Sequence, residues 1–255
     1  MTGIQIKETG VTSYADVHQV EEAIDERTAM FFYVAEAERM RGSVPVEEII
    51  EVMHRHKLPV VVDAAAEIPP VENVTKYLEK GADMVIFSGG KEIRGPQASG
   101  LIVGKKSWIE ACMANCCPQY SIGRPMKIDK ETIAGLVKAV ELFKERDYEK
   151  RLQHWNQISI RMKERLEKVP SVKVWTGYPT EPGVQPIQIL RLFVKPLCRP
   201  AEQVYKDLTE LDRPVYVLLH GDELIINPQC LAEEEAEALC DSLIMVCDKS
   251  EKGRQ

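Results

Sequence analysis

Three short segments of the chain combine side chains that do chemistry: Asp63-Ala-Ala-Ala-Glu67, Ser88-Gly-Gly-Lys91, and Arg94-Gly-Pro-Gln97 leading into Ser99-Gly-Leu-Ile-Val-Gly104. A lysine amine condenses with aldehydes, a carboxylate can hold a proton on a ring nitrogen, and a hydroxyl beside glycine amides favours an anion. A carboxylate followed about 25 residues later by a Ser-x-x-Lys turn suits one pyridoxal phosphate site. In such a site Lys91 takes the cofactor aldehyde and Asp63 keeps the pyridine nitrogen protonated. Ser88 and the Gly89 and Gly90 amides face the phosphate, and the small side chains from Ala64 to Ala66, centred on the cofactor contact Ala65, leave room for a flat ring. Ser88-Gly-Gly-Lys91 is not a nucleotide P-loop: no glycine stands five positions before Gly90, and Glu92 follows Lys91 where Ser or Thr is required. No Gly-x-Gly-x-x-Gly occurs, so the main sequence argument for a dinucleotide is missing.

The segments must be held by elements that the hydrophobic pattern announces. Ser13 and Asp16 resemble an N-cap with an acidic first turn before Val17, Val20 and Ile24 on one helical face. A strand is predicted at Met30–Val34. Pro45 starts a second helix with Glu47 and Glu48 near its positive end and Val46, Ile49, Ile50 and Met53 as its buried stripe. Leu58–Asp63 and Asp83–Ser88 are continuous apolar runs ending in a polar residue, separated by a short helix over 71–80 that stops at Gly81. Alternation of this kind predicts a parallel sheet covered on both faces, with Asp63, Ser88 and Lys91 at the carboxyl ends of its strands, where ligands bind. A strand at Leu101–Val103, a helix from about Lys105 and one long helical stretch over 130–168 follow. Residues 170–250 mix strands at Val172–Trp175, Ile187–Val194, Val215–Leu219 and Glu223–Ile226 with helices at Ala201–Leu211 and Ala232–Cys247. The expected division is a large domain over 1–145 and a connecting helix with a small α+β domain over 146–255, and Lys249–Gln255 reads as disordered.

Composition narrows the function classes. The 255 residues are 44% hydrophobic, enough for a substantial core, and 33 basic against 40 acidic side chains leave a net charge of −7. That balance weighs against a protein that grips a nucleic-acid backbone. The longest apolar runs are far shorter than a membrane helix requires, and no secretory leader is visible. Seven scattered cysteines form no disulfide framework and match no zinc spacing, which reads as a reducing cytoplasm and no metal site. His54 and His56 read as a solvated helix end and His220-Gly-Asp222 as a turn. Cys112, Cys116 and Cys117 read as small buried residues of an apolar helix, and Trp108 and Trp155 as packing groups.

Taken together, Asp63-Ala-Ala-Ala-Glu67, Phe87-Ser-Gly-Gly-Lys91 and Gly95-Pro-Gln97 with Gly104 resemble the selenocysteine-synthase-like group of fold-type I pyridoxal phosphate enzymes. The similarity extends from Glu8-Thr-Gly10 through Gly123-Arg-Pro-Met-Lys-Ile-Asp-Lys-Glu131 and so covers essentially the whole chain. The resemblance implies an aspartate aminotransferase-like α/β large domain plus a small C-terminal α+β domain. It makes Lys91 the Schiff-base lysine, Asp63 the pyridinium partner, Ser88 a phosphate ligand and Arg124 the group for the substrate's anion, with Arg94 and Gln97 at the pocket mouth. Asp-Ala-Ala-Ala-Glu is closer to the ammonia-lyase-like members than to the selenium transferases. The resemblance favours a lyase that eliminates ammonia or water from a small amino acid or amino-sugar acid to give a 2-keto acid, the alternatives being β-replacement on a seryl-tRNA or a non-catalytic member of the family, and the implied assembly is a homodimer or larger homo-oligomer. Family members carry a long further segment ahead of the position matching Met1, so the resemblance also implies a large domain that is incomplete at its N-terminus.

Overall fold

The computed structural model describes residues 3–11, 14–39, 42–178 and 189–248. These fall into two compact units that divide between Arg146 and Asp147. Ser13, the first two residues of the predicted Ile187–Val194 strand and Lys249–Gln255 lie outside the described residues.

In the first unit, β1 (Phe31–Val34), β2 (Val60–Asp63), β3 (Met84–Ser88) and β4 (Gly100–Gly104) form one sheet in that order. β1, β2 and β3 run parallel, while β4 returns antiparallel to β3 with Ser88 opposite Gly100. The crossovers carry α1 (Val17–Glu22), α2 (Val46–Arg55) and α3 (Asn73–Glu79); α4 (Lys106–Asn115) and α5 (Lys130–Lys144) follow β4. The cap of α1 is Asp16, in a reciprocal capping box with Gln19. Pro45 takes the N-cap position of α2, whose Val46, Ile49, Ile50, Val52 and Met53 are buried. Gly81, at φ +108°, ends the α3 segment in a conformation that side chains with a Cβ resist.

One face of this sheet is packed into the main core. Phe31, Tyr33, Val60, Val62, Val85, Phe87, Leu101 and Val103 join Val20, Ile49, Met53, Tyr77, Ala139 and Phe143 in a single cluster. Each fully buried aliphatic side chain of this kind contributes about 1.5–3 kcal/mol, so the cluster sets which way the sheet faces. Strand register puts Phe32, Val34, Asp63, Ile86, Ser88 and Ile102 on the opposite face, where Phe32, Val34 and Ile102 remain 53%, 48% and 43% exposed. On the same face Val61 and Met84 are buried and Cys112 of α4 lies 3.9 Å from the Met84 sulfur, so among the described residues the expected cover on both faces is met in part. The continuous apolar runs reflect strands buried along most of their length, which a one-sided core with partial cover also produces.

Asp83, just ahead of β3, fastens three elements. Its carboxylate accepts hydrogen bonds from the Val60 amide (2.8 Å), His54 Nε2 (2.9 Å) and Lys105 Nζ (2.6 Å). Burial pushes its pKa up, but the bonds from Lys105, His54 and Val60 outweigh that and hold it below the usual carboxylate range. His56 in turn bonds Glu21 at 3.0 Å. His54 and His56 are exposed at the end of α2, as the sequence reading has them, and each also ties that end to a carboxylate.

The second unit is an antiparallel sheet in the order β5 (Val172–Gly177), β6 (Arg191–Pro196), β8 (Glu223–Ile226), β7 (Leu218–His220), packed with α6 (Tyr148–Leu166), α7 (Ala201–Thr209) and α8 (Glu233–Asp248). The predicted single stretch over 130–168 is two helices. Asp147 interrupts it because its carboxylate accepts from the Lys150 amide at 2.9 Å and caps a new N-terminus. His220-Gly221-Asp222 is the tight turn between β7 and β8, with Gly221 at φ +58°.

Candidate active site

Asp63 ends β2 and Ser88 ends β3, the neighbouring parallel strand. The register Asp63 to Ile86 places both side chains on the sheet face that the core leaves open. Both are half-buried. One carboxylate oxygen of Asp63 accepts from the Ala65 amide at 3.0 Å, which fixes the side chain at the strand end. The same bond takes up the backbone donor of Ala65.

Lys91 stands in the turn leaving β3. It is exposed, and among the described residues its amine makes no hydrogen bond or ion pair. Its flanks are rigid: Glu92 and Ile93 are 5% and 2% exposed, and Arg146 donates to the Glu92 carbonyl at 2.8 Å. The whole β3–β4 connection closes on itself. The Gly89 amide donates to the Ser99 carbonyl (2.9 Å), Gly95 to the Gly89 carbonyl (2.8 Å), Arg94 to the Lys91 carbonyl (2.9 Å), and the Ser99 hydroxyl to the Pro96 carbonyl (2.5 Å). Arg94 sits at φ +62°, a left-handed conformation that costs a residue with a Cβ about 1–2 kcal/mol.

This geometry revises what the glycines are for. The Gly89 amide is already bonded within the loop, so it is not a phosphate donor as expected. A Cβ on Gly89 would stand 2.1 Å from Ser99 Oγ and 2.8 Å from Leu136 Cδ1; one on Gly90 would stand 2.6 Å from Gln97 Oε1 and 2.7 Å from Gln97 Cα. Ser-Gly-Gly-Lys and Gly-Pro-Gln are two sides of one tight contact. Gln97, expected at a pocket mouth, packs directly on Gly90. That contact was not legible from either motif alone, although their short separation around a Gly-Pro pair carried the signal of a closed turn.

Arg124 lies in a short 3₁₀ turn between α4 and α5, away from the strand ends in sequence. Its guanidinium donates to Cys117 Sγ at 2.9 Å and to the Pro118 carbonyl at 3.4 Å, and stacks on Tyr120 at 5.1 Å. The structure thus joins Asp63 and Ser88 on one face and sets Lys91 beside them in sequence, while Arg124 is engaged by its own loop. Cys116 is exposed and Cys112 and Cys117 half-buried, so the expectation of buried helix cysteines is corrected; α4 buries no residue. Trp155 is a packing group at 4% exposure, whereas Trp108 is 36% exposed. Glu67 is buried, close enough to Tyr33 and Tyr77 to help burial raise both phenols well above the usual range. It belongs to the core side of the strand end. Among the described residues no helix is long and apolar enough to cross a membrane, and no group of three or more His, Cys, Asp or Glu could hold a metal ion.

Comparison with known proteins gives a consistent picture. Residues 1–173 match the family model described as SelA, L-seryl-tRNA selenium transferase. The chain is 41% identical over 140 residues to a D-glucosaminate-6-phosphate ammonia lyase of Salmonella typhimurium, covering 54% of this chain and 36% of that protein. It is 30% identical over 240 residues to a 5'-C-glycyluridine monooxygenase-decarboxylase of a Streptomyces species, covering 91% of this chain and 57% of that one. A solved structure of D-glucosaminate-6-phosphate ammonia-lyase superposes with a TM-score of 0.77 at 28% identity, over 97% of this chain and 65% of that chain. The chain therefore spans between about a third and two thirds of the length of these relatives.

Proposed function

The chain belongs to the L-seryl-tRNA selenium transferase family, and from that membership we propose that it carries the cofactor-binding part of a pyridoxal phosphate-dependent lyase. Its fold is the fold-type I, aspartate aminotransferase-like large domain followed by a smaller α+β unit. The reaction in this reading is elimination of ammonia or water from an amino acid or amino-sugar acid to give a 2-keto acid.

The observation that carries the reading is the shared open face of Asp63 and Ser88 at the carboxyl ends of adjacent parallel strands, with the unpaired amine of Lys91 three residues further on. The donor set fits the cofactor: a carboxylate for the ring nitrogen, a hydroxyl for the phosphate and an amine for the aldehyde. The face around them is partly apolar, with Val34, Ile86 and Ile102 beside Asp63 and Ser88. When bound, pyridoxal phosphate supplies an aldehyde that condenses with amines and a ring that accepts electrons from the substrate α-carbon. Asp63 holds a proton on the ring nitrogen. Lys91 would hold the aldehyde, and its amine would move a proton at the substrate α-carbon. Arg124 binds the substrate's anionic group after exchanging its contacts with Cys117 and Pro118; Arg94 and Gln97 border the entrance.

Elimination is favoured because the relative at 41% identity and the structure at TM-score 0.77 are both named as ammonia lyases. Replacement on a seryl-tRNA is the second reading, favoured by the name of the family model. Self-association and a reducing cytoplasmic setting belong to the same proposal. The test is addition of pyridoxal phosphate to the purified chain, borohydride reduction and peptide mapping. Label on Lys91, lost in Lys91→Ala with folding retained, supports the assignment; label spread over surface lysines overturns it. Keto-acid release from small amino acids then supports elimination, and a stoichiometric complex with seryl-tRNA supports replacement.

A further inference from the structure

Lys91 is followed by a residue that a plain turn would not need. Glu92 is 5% exposed, so the chain buries a carboxylate directly after its candidate site lysine. Taking a carboxylate out of water is costly unless cations and hydrogen bonds compensate, and a well-packed apolar side chain in its place is often no less stable. Two guanidinium groups flank this carboxylate. Arg146, two residues past the end of α5, sets Nη1 3.6 Å from Glu92 Oε1, and the same nitrogen donates to the Glu92 carbonyl at 2.8 Å. Arg94 brings Nε to 4.0 Å from the same carboxylate oxygen. Arg146 is itself fixed: its amide donates to the Phe143 carbonyl at 3.2 Å, and its guanidinium lies 5.8 Å from the buried Phe143 ring. Earlier in α5, Leu136 and Ala139 back the same loop, since a Cβ on Gly95 would stand 3.3 Å from a side-chain carbon of each. The lysine turn is thus held against α5 at two places.

We propose that Glu92 and Arg146 are positioning residues for Lys91. One guanidinium grips both the main chain and the side chain of the residue after the lysine, and so fixes the direction in which the amine leaves the turn. The inference rests on the reading of Lys91 as the cofactor lysine. Both residues act through the backbone between Lys91 and Glu92 rather than on the reacting atoms. The carboxylate has a second effect, through its contact with Arg94, whose φ of +62° is a left-handed conformation. Strain of that kind persists where the surroundings over-determine it. Here the Glu92 carboxylate and the bond from the Arg94 amide to the Lys91 carbonyl supply the constraint. The lysine and the cation at the entrance therefore share one anchor.

The test compares the full chain with Glu92→Gln, Arg146→Met and Arg146→Lys, using pyridoxal phosphate as the probe, timed borohydride trapping and peptide mapping. Glu92→Gln keeps the shape of the side chain and Arg146→Met an apolar stem over Phe143, so both should fold, which urea unfolding checks. The quantity read is label on Lys91 relative to label on Lys106, whose side chain is 89% exposed in the same molecule. That ratio should fall about tenfold in Arg146→Met and severalfold in Glu92→Gln, and recover in part in Arg146→Lys, which restores a cation. A merely structural role would lower the urea midpoint and leave the ratio at its parent value; that result, with Lys91 labelled in the parent, overturns this inference alone. Absence of label on Lys91 in the parent overturns the cofactor reading, and this inference with it.

Discussion

Replacing Gly90 with alanine tests whether the β3–β4 connection is what presents Lys91. The new Cβ would stand 2.6 Å from Gln97 Oε1 and 2.7 Å from Gln97 Cα. The amide tip of Gln97 can swing away, but its Cα is backbone. Reaching an ordinary contact of about 3.4 Å requires the two sides of the loop to part by roughly 0.7 Å. The Gly89–Ser99 and Gly95–Gly89 hydrogen bonds, at 2.9 and 2.8 Å, resist that movement. Overpacking of this kind costs about 1–3 kcal/mol. Because a displacement near 1 Å at a reacting group lowers rates by up to about two orders of magnitude, capture of pyridoxal phosphate on Lys91 should slow by roughly tenfold or more. Gly100 is the control: its Cβ would meet only the Phe87 carbonyl at 3.5 Å, so Gly100→Ala should leave stability within about 0.5 kcal/mol of the parent. Urea unfolding followed by tryptophan fluorescence gives the first quantity, and the time course of borohydride-trapped label on Lys91 the second. If Gly90→Ala matched the parent in both, the closed loop would not be what sets the lysine.

Asp83→Ala should destabilise the first unit by about 2–4 kcal/mol, since it strands the fully buried Val60 amide while the half-exposed Lys105 and His54 rehydrate; urea midpoints decide it. The depressed pKa of Asp83 means that its stabilisation is complete above the unfolded value near 3.9 and disappears as pH falls through the lower folded value. Stability of the parent should therefore drop more steeply below about pH 4 than that of Asp83→Asn, measured by acid titration of the unfolding free energy. Asp147→Ala should cost about 1 kcal/mol by removing the N-cap of α6, with the loss visible in helix content at the midpoint. Asp63→Asn should retain label on Lys91 but slow elimination from substrate by orders of magnitude in an active preparation; an unchanged rate would remove Asp63 from the ring nitrogen.

Much of the site was legible because strands and their ends are written in local pattern. Val60–Asp63 and Met84–Ser88 stop at the polar residues that the apolar runs led up to, and parallel pairing follows from the helices between them. The antiparallel return of β4 was harder to read, since Gly100–Gly104 looks like any short apolar run and its direction depends on a loop that closes through backbone bonds. Asp147 shows the same limit from the other side: helical spacing continues across it, and only the capping bond reveals the break. Asp83 and Gln97 gain their roles from contacts with residues distant in sequence or across a loop, which no periodicity encodes. The second face of the sheet is covered at Val61 and Met84 but not at Phe32, Val34 and Ile102, a difference that apolar content along a strand does not report.

The mixed direction of the sheet has a kinetic side. Ser88 and Gly100 are paired across a short antiparallel connection, so the pairing of β3 with β4 around the lysine turn is local in sequence and should close early. Asp63 reaches its place beside Ile86 only after a parallel crossover through α3, which pays a larger loop-closure entropy before any contact forms. The nucleophile is consequently assembled on a local hairpin and its acidic partner on a parallel crossover of higher contact order. A folding chain presents the amine first, and the two halves of the site acquire their relation only when the crossover docks.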